Sequence, residues 1–173
     1  MSDAFGAQSL LEVGAASAAL HGENVSGDQQ VVVPFTGGVL VGAVDGLGHG
    51  DEAAQAAHRA VSVLEEDAAA PLTTLFERCH SRLARTRGVV MSLASFNVAE
   101  HRLTWLGVGN VEGTLLRADS ETPWPTESIL LLGGVVGFQL PSLRPSTTQV
   151  RHGDTVILTT DGIESGFRHG LRP

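Results

Sequence analysis

A single cysteine, Cys79, is found in the 173 residues, so no internal disulfide can form and a reducing cytoplasm is the expected compartment. No run of lysine or arginine stands out, and the net charge is −8. A protein that binds by neutralising phosphates needs a basic surface, so nucleic acid is not an expected partner. Long apolar runs are missing too. The longest nearly apolar stretch, from Ile129 to Phe138, is too short to cross a bilayer. The N-terminus has neither the basic nor the apolar segment of a secretion signal, so no membrane association is expected. Without repeats, low-complexity tracts or linkers, residues 1–173 read as one domain, long enough for a sizeable core.

Glycine is what the sequence has in quantity, 21 residues without a Gly-X-Y period, which points to tight turns and close backbone approaches. Residues 10–19 and 30–45 read as strands, the second interrupted between Pro34 and Gly38. Alternation puts Val39, Val41, Ala43 and Asp45 on one face. From Asp51 the period changes to that of a helix, with a stripe of Ala53, Ala57, Ala60, Val61 and Leu64. Pro71 opens a second helix whose stripe is Leu72, Leu75, Phe76, Cys79 and Leu83. Within that stripe Cys79 reads as a buried structural thiol. Further strands are expected over 89–97, 102–109, 114–117, 129–132 and 148–160, the last broken at Arg151 to Asp154. Strands, two helices and then many strands do not alternate as a parallel doubly wound sheet would. The expected class is α+β, antiparallel sheets with helices on their outer faces.

Three segments put an aspartate beside glycine at the end of an apolar strand or in a turn. They are Ser26-Gly27-Asp28, Val44-Asp45-Gly46-Leu47-Gly48-His49-Gly50, and Thr159-Thr160-Asp161-Gly162-Ile163. A carboxylate so placed is held by a rigid element, while glycine lets a cation, water or carbonyl approach closely. Hard cations such as Mg²⁺ and Mn²⁺ take oxygen donors, and a few carboxylates can hold two ions about 3.5–4 Å apart. Asp-Gly pairs are also common turn formers, and one alone would carry little weight. Three together favour a site. The string Gly46-x-Gly48-x-Gly50 is not a dinucleotide fingerprint, because the glycine required at position 51 is Asp51. No P-loop, zinc helix or Gly-x-Ser-x-Gly elbow occurs. His49 is a candidate proton donor to a leaving group, or a loop-orienting or solvent-facing residue. Arg78, Arg82, Arg85 and Arg87 on the second helix read as a solvated face before they read as an anion site.

Taken in order, Ser26-Gly-Asp28, Asp45-Gly-Leu-Gly-His-Gly50, Gly107-Val-Gly-Asn110, Gly153-Asp154 and Thr160-Asp-Gly-Ile163 resemble the metal-dependent protein phosphatases of the 2C type. Within these the likeness is to the bacterial SpoIIE-like branch and its small stressosome phosphatases, and it covers roughly residues 10–165. The resemblance implies an α-β-β-α sandwich of two antiparallel sheets flanked by helices. It implies two Mn²⁺ or Mg²⁺ ions, with Asp45 bridging both, the Gly46 carbonyl on one, Asp161 on the second, and Asp28 bound directly or through water. A bridging hydroxide would attack phosphorus in line, on phosphoserine or phosphothreonine of a stressosome scaffold protein. Asn110 would shape a strand-end turn and Asp154 the hairpin before the last strand. The family adds a further metal-binding aspartate on a final strand. Arg168 to Pro173 contains no carboxylate, so either the chain stops before that strand or the site is one ligand short. The alternative to an enzyme is therefore a phosphatase-like module that binds a phosphoregulator without turnover; a hydrolase of small phosphoesters is a third reading.

Overall fold

The computed structural model describes residues 11–18, 25–119 and 126–163. Its first hairpin carries two of the candidate aspartates. Strands β1 (Asp28–Phe35) and β2 (Gly38–Gly46) are joined through Thr36-Gly37, with Gly37 at φ 82°, a conformation glycine adopts without steric cost. Phe35 pairs with Gly38, so seven residues back along β1 and seven forward along β2 bring Asp28 opposite Asp45. The register of the sheet therefore sets two carboxylates face to face.

Helices α1 (Asp51–Glu66) and α2 (Leu72–Leu83) come next, then β3 (Val89–Asn97), β4 (Arg102–Val108), β5 (Glu112–Leu116), β6 (Thr126–Ser128), β7 (Leu131–Leu132), β8 (Ser146–Gln149) and β9 (Thr155–Thr159). The larger sheet runs β1-β2-β3-β4 as an antiparallel meander, with β8 antiparallel and β7 parallel to β4. The smaller sheet has the order β6-β5-β9, all antiparallel.

Strand alternation divides the core in two. Leu40, Val44, Met91, Leu93, Leu106 and Val108 turn to the helices and meet Ala56, Ala57, Ala60, Leu64, Leu75, Phe76 and Leu83. Val41, Ala94, Phe96, Leu103 and Trp105 turn the other way, to Leu115 and Val156 of the smaller sheet. The helical stripes read from the sequence are these buried faces, with Val61 packed at the edge. Cys79 is fully buried, and burial with the charge of Glu66 pushes its thiol up to about 12, so it stays protonated.

The α+β class and the packed sheets are those expected. Both helices among the described residues lie on the larger sheet, giving three layers: helices, sheet, sheet. Three expectations need correction. Residues 11–18 form no strand and are mostly exposed. Gly14 and a run of small side chains offer little area to offset the entropy of ordering. Of the strand expected over 129–132 only Leu131–Leu132 pairs, and that pairing is parallel. Ile129 instead turns into the core between the sheets while its N–H bonds the Gly113 carbonyl. The strand expected from Thr148 starts earlier, at Ser146, before the turn.

Candidate functional site

The site lies where β1, β2 and β9 end. Asp28 opens β1, Asp45 stands one residue before the end of β2, and Thr160-Asp161 follows β9. Gly46 next to Asp45 could not be another residue. A Cβ there would sit 2.0 Å from the carbonyl oxygen of Ala53, so helix α1 rests directly on the strand end. Below it the ladder continues, with Gly46 N–H on the Gly27 carbonyl at 3.1 Å and Leu47 N–H on that of Gly88 at 3.1 Å. The glycine loop then turns through Gly48 at φ 94°, under the Arg87 guanidinium, which pairs with Glu52 in the first turn of α1. His49 stands exposed in that loop.

Like charges directly across an antiparallel pair are destabilising. Here the cost is visible in Asp45, whose carboxyl is pushed from 3.8 to about 7. Burial is the largest cause, followed by the charge of Asp28, the charge of Asp161, and a side-chain hydrogen bond with Asp28. The structure thus brings Asp28, Asp45 and Asp161 into one electrostatic neighbourhood. Among the described residues no three His, Cys, Asp or Glu side chains stand close enough together to hold a metal ion, so Asp45 senses the charges of Asp28 and Asp161 without the three being gathered around a point.

Two further side chains touch this group. Thr160 Oγ1 donates to Asp28 Oδ2 at 2.8 Å, and Asn110 Nδ2 donates to Asp161 Oδ2 at 3.3 Å. Asn110 does lie in the bend after β4, as a turn-shaping residue would, but it also reaches the site. Thr160 had no role in the sequence reading beyond its place in the motif. Asp154 is not in the site. It accepts from the N–H groups of Ala118 and Arg151, the second closing the turn before β9, and from Arg117 Nη1 at 2.9 Å. Burial alone would raise the Asp154 carboxyl, but these backbone bonds and the Arg117 charge hold it below its usual range.

Arg117 was not singled out by the sequence. Only 15% of its side chain is exposed, and it binds Glu127, Asp154, Thr148 Oγ1 and the Gln149 carbonyl. It thereby ties β6 and the β8–β9 connection to the end of β5. The arginines of α2 form exposed pairs, Arg78 with Asp67 and Arg82 with Glu66. These two are the solvated helix face expected, and such pairs contribute little. Arg85 and Arg87, expected on the same helix, lie past its end at Leu83, and Arg87 pairs with Glu52 instead.

A donor set of carboxylates with a neighbouring backbone carbonyl is chemically suited to Mg²⁺ or Mn²⁺ and poorly suited to softer metals. A cation would also relieve the repulsion that raises Asp45. No described helix is long and apolar enough to cross a membrane.

Comparison with known proteins agrees with this geometry. Residues 36–168 match the family model of Stage II sporulation protein E (SpoIIE). The phosphoserine phosphatase RsbX of Bacillus subtilis (strain 168) is 24% identical over 143 residues, which is 83% of this chain and 70% of that protein. A chain from the structure described as "The bacterial stressosome: a modular system that has been adapted to control secondary messenger signaling" superposes with a TM-score of 0.81 at 30% identity, covering 87% of this chain and 76% of its own. RsbX in complex with magnesium shares the fold, with a TM-score of 0.78 at 22% identity over 86% of this chain and 73% of that one. With a family match spanning most of its length, the chain belongs to the SpoIIE family.

Proposed function

We propose that this chain is a cytoplasmic, metal-dependent protein phosphatase that hydrolyses phosphoserine or phosphothreonine on a regulatory protein of the stressosome type. The observation that carries the reading is the set of three carboxylates at one strand end, two of them opposed by strand register, where burial first and then the charges of Asp28 and Asp161 push Asp45 up to about 7. A divalent cation bound there would offset this repulsion. Support for the substrate comes from the relatives, one named a phosphoserine phosphatase and another from a structure described under the bacterial stressosome.

In this reading Asp45, Asp28, Asp161 and the Gly46 carbonyl hold Mn²⁺ or Mg²⁺, two ions in all. Bound there, such ions acidify a water for attack on phosphorus and neutralise the phosphoryl oxygens. The chain's own residues do the rest. Asp45 gives up its proton to bind, Thr160 and Asn110 orient Asp28 and Asp161, and helix α1 against Gly46 keeps the strand end rigid. His49, exposed on the loop beside the carboxylates, is the candidate to protonate the departing serine or threonine oxygen.

The test compares phosphate release from a phosphorylated stressosome-type scaffold protein and from p-nitrophenyl phosphate, both with Mn²⁺. Strong preference for the phosphoprotein is expected. Equal turnover of both would make this a hydrolase of small phosphoesters. Tight binding of the phosphoprotein with no release would make it a docking module.

A further inference from the structure

The three carboxylates do not come from one sheet. Asp28 and Asp45 stand on β1 and β2 of the larger sheet, whereas Asp161 follows β9 of the smaller one. A site shared across two sheets works only if the end of β9 is held in one position against β1. The apolar contacts between the sheets, Val41 and Phe96 with Leu115 and Val156, resist sliding but are not directional at the level of a single oxygen.

Two directional contacts cross the seam at the site itself. The Thr160 hydroxyl donates to Asp28 Oδ2 at 2.8 Å in a partly buried setting, joining residues 132 apart in sequence. The Asn110 amide donates to Asp161 Oδ2 at 3.3 Å, from the bend where the chain passes from β4 in one sheet to β5 in the other. A hydroxyl bonded to a carboxylate is among the stronger neutral-to-ion hydrogen bonds, and the shorter of the two contacts is the more constraining. Because Thr160 directly precedes Asp161, one hydroxyl fixes the orientation of Asp28 and the landing place of Asp161 together. Thr160 is itself only half-exposed, and its bond leaves the second oxygen of Asp28 uncommitted by this contact.

We infer that Thr160 is a positioning residue, with Asn110 as a weaker companion. Its hydroxyl latches the end of β9 to β1 so that carboxylates from the two sheets can share a divalent cation. This rests on the metal-dependent reading above, and the experiment separates the two. Mn²⁺ affinity is measured by titration calorimetry on the full chain for wild type, Thr160→Val, Thr160→Ser and Asn110→Ala, with thermal melting in EDTA as a check on folding.

Thr160→Val should weaken Mn²⁺ binding about 10- to 100-fold, the usual effect of removing a side chain that orients a ligand. Thr160→Ser should restore affinity close to wild type, since it keeps the hydroxyl. Asn110→Ala should weaken binding by a smaller factor with little change in melting in EDTA. Wild-type affinity in Thr160→Val overturns the inference, and so does a Thr160→Ser variant as weak as Thr160→Val. If Thr160→Val does not fold, unchanged affinity in Asn110→Ala overturns it. Mn²⁺ binding by the wild type without phosphate release sinks the phosphatase and leaves the latch standing. Phosphate release by the wild type with unchanged affinity in Thr160→Val does the reverse. A wild type that binds no Mn²⁺ overturns both.

Discussion

Replacing Asp45 with asparagine should make the metal-free protein more stable at pH 8, although it removes the residue on which the proposed chemistry most depends. The Asp45 carboxyl is pushed from 3.8 to about 7, first by burial and then by Asp28 and Asp161. Because the folded value lies above the unfolded one, the contribution of this group to stability is fully present below about pH 3.8. It declines as the pH rises and is lost above about pH 7. At about 1.36 kcal/mol per pH unit the rise corresponds to about 4 kcal/mol as a limit. Partial solvent access and screening reduce the expected effect to about 2 kcal/mol. Asparagine has the same shape, carries no charge and can donate a hydrogen bond to Asp28. Urea denaturation in EDTA should therefore show the variant ahead by about 2 kcal/mol at pH 8 and by under about 1 kcal/mol at pH 5. Added Mn²⁺ should reverse the order at pH 8, stabilising wild type and hardly touching the variant. A variant less stable than wild type in EDTA at pH 8, or a gap that does not narrow at pH 5, would refute the electrostatic account of the site.

Other perturbations test the frame that holds the carboxylates. Arg117→Ala strands Glu127 and the well-buried Asp154 without their cation and should cost about 3 kcal/mol in urea denaturation; a loss under about 1 kcal/mol would contradict the pairing described. Gly46→Ala puts a methyl 2.0 Å from the Ala53 carbonyl and should lower stability by about 3 kcal/mol by forcing α1 off the strand end. A melting temperature within about 2 °C of wild type would mean that α1 can shift without cost.

Much of the frame was legible in the sequence because it is local. The break near Gly37 is the turn between β1 and β2, Val41 turns with its face of β2 towards the smaller sheet, and the apolar stripes of α1 and α2 are buried faces. The opposition of Asp28 and Asp45 was within reach as well. It emerges once the turn is placed at Thr36-Gly37, since register is counted from the turn. Contacts closed between distant segments were not legible. Nothing near Thr160 announces a bond to Asp28, and nothing near Arg117 announces that Asp154 and Glu127 will converge on it. The strand expected over residues 10–19, which does not form over the described residues 11–18, has a related cause, for apolar content alone does not supply a pairing partner. Residues 164–173, where a last strand with another aspartate was sought, lie outside the described residues.

The central claim is that a divalent cation held by these aspartates drives hydrolysis of a phosphoprotein. Its most direct test is phosphate release from a phosphorylated stressosome-type scaffold protein by wild type in Mn²⁺, by wild type in EDTA, and by Asp45→Asn in Mn²⁺. The account predicts release in the first reaction alone. Release in EDTA, or by a folded Asp45→Asn at near the wild-type rate, would contradict it.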